Sequence, residues 1–288
     1  ITIASPFTAT FTSSNTDVIA LSTTATTTTS KTVSHTLAGA GTSIITVSQA
    51  ADANYNAATV SYTVTVTKAD PNLSSISDIT KTYGDANDTV VNTLSTTTAI
   101  QYTSSNPSVV QIASTEAGSD TQTATLTFTG AGTAIVTATL SETANYESAT
   151  TSFTVTVNKA TPTLSGFVDI TKTYGDADFS LVQPTSNSDG GFTYASSNTA
   201  TATITGDTVS MSHSGNVVIT ATQAANANYN AGTISLTLTI NKASQSISVD
   251  PLPSTKPLKD FTTIPLTASS SSGNTVGIVI DNSSAGTL

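Results

Sequence analysis

Residues 53–85 read ANYNAATVSYTVTVTKADPNLSSISDITKTYGD, and the stretch returns at 144–176 as ANYESATTSFTVTVNKATPTLSGFVDITKTYGD. A third copy opens at residue 227 as ANYNAGTISLTLTINKASQS and then diverges. Self-similarity at a near-constant period outranks any single-residue signal, because it marks copies of one small folding unit. Lys68 and Lys159 stand 91 residues apart, and Lys159 and Lys242 stand 83 apart, so each copy has the length of one small β domain.

Alternation inside the stretch decides its secondary structure. Val60, Tyr62, Val64 and Val66 take one side of a strand while Ser61, Thr63, Thr65 and Thr67 take the other. The pattern repeats with Phe153, Val155 and Val157, and again with Ile234, Leu236, Leu238 and Ile240. Such a period of two predicts an antiparallel sheet with one core face and one wet face, since sheets covered on both sides read as continuous apolar runs. Tyr55, Tyr146 and Tyr229 have two readings. In one they are a ladder of exposed ligand-stacking rings; in the other each plugs the end of a sandwich and ties its hydroxyl to nearby backbone, as a tyrosine corner does.

Working outward, a glycine turn precedes each penultimate strand: GAGTSIITVSQA from residue 39, GAGTAIVTATLS from 130 and HSGNVVITATQA from 213. Upstream, 73–79 and 164–170 are expected as first strands, followed by TKTYGD as a turn in which Gly84 or Gly175 takes positive φ. Further strands are expected at 90–94 and 179–182, at 109–112 and 202–204, and at 123–128 and 208–211. Ser104-Ser105-Asn106 and Ser196-Ser197-Asn198 mark a corner suited to a side-chain-capped turn. In the first unit 7–12 and 17–21 read as strands, and the Thr/Ser run 22–34 as an exposed strand and turn. About seven strands per unit, with turns every 8 to 12 residues or so, describe a β-sandwich.

The expected domains are therefore 1–68, truncated at its start; 69–159; 160–242; and 243–288, a partial variant in which Thr255-Lys256-Pro257-Leu258 replaces the TKTYG turn. Both ends read as cut from a longer array. No Gly/Ser linker separates the units, and Asp70-Pro71 or Thr161-Pro162 follows each Lys-Ala joint, so neighbours are expected to be stiffly coupled in an extended array.

Thr makes up roughly a fifth of the residues, a β-branched mixture suited to pleated strands. There is no Cys and no Arg, and eight Lys face eighteen Asp plus Glu for a net charge of -10. Disulfides and thiol chemistry are excluded, and nucleic-acid binding is not expected, because it rests on clustered Lys and Arg. No apolar run reaches the roughly 18 residues of a membrane helix, so direct membrane insertion is not expected. The low charge density and acidic balance point to an extracellular, surface-exposed protein.

DITKTYGD at Asp78 and Asp169, the SSN corner, GAGT, and ANYN followed by alternating valines and KA together resemble the bacterial Ig-like domains, in the subgroup named for its Tyr-Gly-Asp triplet and often called MBG domains. The resemblance implies all-β, tandem Ig-like antiparallel sandwiches in large extracellular bacterial proteins, adhesins and filamentous surface proteins among them, with similar domains on phage virions. It supplies no catalytic residues.

Catalytic chemistry is not expected. His35 and His213 fall near equivalent turns of different units, no base is paired with a nucleophile, and no phosphate loop is present. Asp carries the remaining candidate chemistry: Asp78, Asp85 and Asp88, like Asp169, Asp176 and Asp178, lie close to a joint where carboxylates and carbonyls can hold calcium. The alternative is that they cap backbone N–H groups in turns. The functional expectation is a structural stalk or filament segment of a bacterial cell-surface, adhesin-like protein that spaces a terminal domain. Its partners are then neighbouring Ig-like domains of the same long chain, with self-association into filaments a further route. The alternatives are a virion-surface protein and a carbohydrate- or protein-binding module.

Overall fold

The computed structural model describes residues 2–4, 9–26, 30–115, 120–250 and 266–279, and every regular element among them is a β-strand. The chain divides into two compact units, Ile1–Thr161 with Ala225–Asn230, and Pro162–Ala224 with Ala231–Leu288.

Unit 1 opens with a sandwich of β1 (Thr2–Ala4), β2 (Ala9–Ser13), β3 (Ile19–Thr26), β4 (Ser30–Leu37), β5 (Gly41–Gln49) and β6 (Ala58–Val66). Its sheets run β1-β4-β3 and β2-β5-β6, all antiparallel. The Thr/Ser run forms strands β3 and β4, with 27–29 outside the described residues. The expected strand at 17–21 starts only at Ile19, because the Asn15 carbonyl accepts from Val18 and Ile19 and holds 16–18 in a turn. His35 accordingly lies within β4 and not in a turn. The core here is small, built on Val18, Ile19 and Ile45 with Leu21, Val64 and Val66 against them. One expectation fails: Val60 is 62% exposed and Tyr62 39%, although alternation places both on the core face. Among the described residues no strand lies outside β6 to cover them.

The second sandwich comprises β7 (Ile79–Thr82), β8 (Asp88–Thr93), β9 (Ile100–Ser104), β10 (Val110–Thr115), β11 (Thr121–Phe128), β12 (Gly132–Leu140) and β13 (Ala149–Asn158). A four-stranded sheet β7-β13-β12-β9 packs on a three-stranded sheet β10-β11-β8. Every pairing is antiparallel except that of the first strand with the last, β7 with β13, which is parallel. Alternation here behaves as expected: Phe153, Val155 and Val157 are buried against Val110, Leu126 and Val136. The expected strand at 73–79 begins only at Ile79, because the segment crosses between sheets. Ser74 bonds to Thr93 beside β8, whereas Ile79 pairs with Val155 of β13, so no single ladder holds the whole stretch. Buried polar groups are satisfied: Asn92 donates to the Ser74 carbonyl at 2.6 Å and accepts from the Tyr102 hydroxyl at 2.8 Å. Burial raises the Tyr102 pKa above its ordinary value.

Unit 2 contains β14 (Leu164–Ser165), β15 (Ile170–Thr173), β16 (Phe179–Ser180), β17 (Thr185–Ser186), β18 (Phe192–Ser196), β19 (Ala202–Thr205), β20 (Thr208–Met211), β21 (Gly215–Gln223) and β22 (Gly232–Asn241). The sheets β15-β22-β21-β18 and β16-β20-β19 repeat the second sandwich strand for strand, again with the first and last strands parallel. Much of its shorter length is explained by one hairpin. Strands β10 and β11 run 6 and 8 residues, whereas β19 and β20 run 4 each around Gly206 at φ +64°. Beyond it, β23 (Ile247–Val249) pairs with β24 (Ala268–Ser270), while the variant turn at 255–258 lies outside the described residues.

Candidate functional site: the joint motif

The repeated sequence resolves into two devices. The first is DITKTYGD, which fastens the opening strand of a sandwich to its closing strand. Asp78 Oδ1 accepts from the Thr154 amide at 2.6 Å, just ahead of the parallel ladder in which Ile79, Thr80, Lys81 and Thr82 face Val155, Thr156, Val157 and Asn158. The Tyr83 amide closes the other end on the Asn158 carbonyl at 2.8 Å. Next comes a turn in which the Asp85 amide donates to the Thr82 carbonyl and Asp85 Oδ2 accepts from the Thr82 amide at 2.7 Å. Gly84 sits at φ +92°, the conformation a type II turn demands at its third position. The second copy is the same: Asp169 accepts from Thr237 at 2.7 Å, Tyr174 donates to Asn241 at 2.8 Å, and Gly175 has φ +94°.

The six aspartates therefore carry separate tasks. Asp78 and Asp169 clamp strands, and Asp85 and Asp176 cap turns. Asp88 pairs with Lys81 at 2.8 Å, a bond that, with the Thr89 amide, holds its carboxyl below the usual range. Asp178 accepts from the Ser210 hydroxyl at 2.5 Å. Among the described residues no three acidic or histidine side chains converge on a point that a metal would occupy. With these carboxylates committed to backbone and side-chain donors, thermal melts in EDTA and in added calcium are expected to coincide. A midpoint raised by calcium would instead show ion binding to the folded state.

The second device is ANYN, and its asparagine, which the sequence reading passed over, is the residue that reaches across. Asn145 Oδ1 accepts from the Ala40 amide at 2.9 Å, in the glycine turn of the preceding sandwich. The Asn145 carbonyl accepts from the Ala69 amide at 2.9 Å, and the Glu147 amide donates to the Ala69 carbonyl at 3.0 Å, forming a short parallel bridge with the Lys-Ala joint. Lys68 pairs with Glu142 beside it. Gly39 makes the approach possible: a Cβ there would stand 2.7 Å from the Asp17 carbonyl oxygen and 2.9 Å from Asn145 Oδ1.

Residues Ala225–Asn230 of unit 1 build the same contact. Asn228 Oδ1 accepts from Ala131 at 2.9 Å, and its carbonyl accepts from Ala160 at 2.9 Å. The Asn230 amide donates to the Ala160 carbonyl at 2.8 Å, and Lys159 Nζ donates to the Asn226 carbonyl at 2.6 Å. The loop is internally rigid, since Asn226 Oδ1 accepts from both Asn228 and Tyr229. Asp52 Oδ1 does the same for Asn54 and Tyr55, each at 2.7 Å.

Of the three tyrosines, Tyr55 does not fit the reading as a sandwich plug. Tyr55 is 68% exposed. Tyr146 and Tyr229 are half-buried, and Tyr229 meets the Tyr83 ring edge-on at 5.5 Å between centroids. The signal that singles out the asparagine is its recurrence at 54, 145 and 228 beside a tyrosine, at positions alternation does not assign to a core. The strand order defines the class: an all-β protein of tandem Ig-like sandwiches.

No protein-family model matches the chain, and no curated protein sequence matches it. Among solved structures it is similar to the titin domains Z1Z2 in complex with telethonin, at 14% identity and TM-score 0.36 over 62% of this chain and all of that one. It is also similar to surface layer protein SbsC, domains 4–9, at 17% identity and TM-score 0.28, covering 86% of this chain and 41% of that one. An endo-fucoidan hydrolase of glycoside hydrolase family 107 matches at 13% identity and TM-score 0.26, and the chain spans 39% of its length. The Ig-like sandwich is read from the strand order and register above, not from these likenesses.

Proposed function

We propose that the chain is a spacer segment of an extracellular bacterial surface protein of the adhesin type, whose work is to hold a terminal domain away from its anchor under tension. The observation that carries this reading is the parallel ladder of β7 with β13, repeated in β15 with β22. Where a domain enters on its first strand and leaves on its last, parallel pairing places those two ends at opposite ends of one ladder. A pull then shears all the ladder bonds at once, whereas antiparallel end strands would unzip them singly. Asp78 and the Tyr83 amide extend the loaded set beyond the four paired residues on each strand. The low charge density, the resemblance to tandem bacterial Ig-like domains and the locked joints support the same reading.

Pulling single molecules from both ends tests it. Discrete rupture events are expected, one for each fully stranded sandwich, with Asp78→Ala lowering the force of one event and leaving the others in place. A gradual extension without peaks would contradict a role under tension.

A further inference from the structure

Asparagine followed two positions later by Ser or Thr, with any residue but Pro between, is the acceptor motif for transfer of a glycan to the asparagine side chain. Two such triplets fall among the described residues, Asn72-Leu73-Ser74 and Asn87-Asp88-Thr89, and the structure separates them. In the first, the reacting groups are engaged. Asn72 sits at φ +52°, and its Nδ2 donates to the Asp70 carbonyl at 3.4 Å and to Ser95 Oγ at 3.0 Å. Ser74 Oγ accepts from the Thr93 amide at 2.9 Å, and the Ser74 carbonyl accepts from Asn92 Nδ2 at 2.6 Å. The second triplet is free at the same atoms: Asn87 and Thr89 are exposed, and neither side chain has a hydrogen-bond partner among the described residues. Asn87 immediately precedes β8, which ends the sheet β10-β11-β8 and pairs with no strand on its outer side among the described residues. Asp88 and Thr89 are held in the ladder only opposite Leu126 and Thr125. Lifting these two residues from the end of an edge strand presents the triplet in extended form, and breaks with it only the Lys81–Asp88 pair, a weak tie at the surface.

We infer that Asn87 is an N-glycosylation acceptor, with Asp85, two residues ahead, as the acidic anchor for a cation on the transferase. Asp85 is exposed; its Oδ2 caps the turn, and Oδ1 is unengaged among the described residues. The glycan donor is a polyprenyl-pyrophosphate-linked oligosaccharide. Asn87 Nδ2 attacks C1 of the first sugar, and the new N–C1 bond forms as the C1–O bond breaks. Polyprenyl pyrophosphate leaves with that bond's electron pair, and one amide proton passes to a base on the transferase. The attached glycan covers the outer side of β8, an exposed strand edge that otherwise offers itself to other strands. Its placement is selective, because TYGD is followed by Ala-Asn-Asp-Thr in the second sandwich and by Ala-Asp-Phe-Ser in the third. The inference rests on the extracellular reading above, since such transfer acts on exported chains.

The test incubates the full folded chain with a bacterial single-subunit oligosaccharyltransferase and a polyprenyl-pyrophosphate-linked oligosaccharide, then maps the modified peptides by mass spectrometry. A glycan on Asn87 and none on Asn72 is expected. Asn87→Gln and Thr89→Ala, both at exposed positions, abolish the modification at this site, and Thr89→Ser keeps it. Asp85→Asn, which retains an oxygen to cap the turn, lowers the rate of transfer about tenfold. An unmodified Asn87 in the folded chain would overturn the inference, whether or not a free peptide of residues 84–91 is glycosylated. So would a glycan on Asn72 in place of Asn87. Transfer in vitro does not depend on where the chain resides or on the load it bears, so its failure is distinct from failure of the spacer reading in the pulling experiment.

Discussion

Gly132→Ala is expected to destabilise the second sandwich by about 3 kcal/mol, combining backbone strain with a clash. Gly132 opens β12 at φ +147°, a conformation side chains avoid, and an added Cβ would stand 2.8 Å from Val109 Cγ2. Val109 is buried in the core, so neither partner can withdraw without moving a strand. The damage extends to the joint. Ala131, one residue before, presents the amide that Asn228 Oδ1 accepts, and a displaced turn re-aims that donor. Urea unfolding followed by tyrosine fluorescence measures the loss; a cost below about 1 kcal/mol would show that the turn tolerates a side chain.

Leu126→Ala is expected to cost a similar amount, about 2 to 5 kcal/mol, by a different route. Leu126 is fully buried in the centre of β11, in one cluster with Val110, Val136, Phe153 and Val155. Truncation removes the transfer free energy of its methyl groups and leaves a cavity that two facing sheets cannot close. Hydrogen exchange is expected to accelerate across residues 79–158 and to stay unchanged across 170–223 and 232–241, because these stretches have separate cores. Equal acceleration in both would mean that the sandwiches unfold as one body.

Much of this fold is legible in the chain because the repeat supplies two or three readings of each signal. The alternating threonines and valines of β13 and β22, the glycine of the Tyr-Gly-Asp turn and the SSN corner all behave as their chemistry dictates. In that corner the asparagine side chain caps the turn in each copy, with Asn106 Oδ1 accepting from Ser108 and Asn198 Oδ1 from Ala200. Alternation misleads at β6 because it reports which face a side chain takes, not whether anything covers that face. The joint was harder to read. Asn145 and Ala40 lie 105 residues apart, and nothing local links an asparagine beside a tyrosine to a distant glycine turn. The aspartates of DITKTYGD were visible as a group, but only the ladder register separates a strand clamp from a turn cap.

The Ala40–Asn145 bond is expected to fix the angle between the first two sandwiches, and the cysteine-free chain allows a direct test. Spin labels on Thr36→Cys and Gln101→Cys, at exposed sites on either side of the Ala40–Asn145 bond, report the distance distribution between them by electron paramagnetic resonance. A single narrow peak is predicted for the native joint and a clearly broader one when Asn145→Ala removes the acceptor. A broad distribution in the native chain, or one that Asn145→Ala leaves unchanged, would contradict a locked joint.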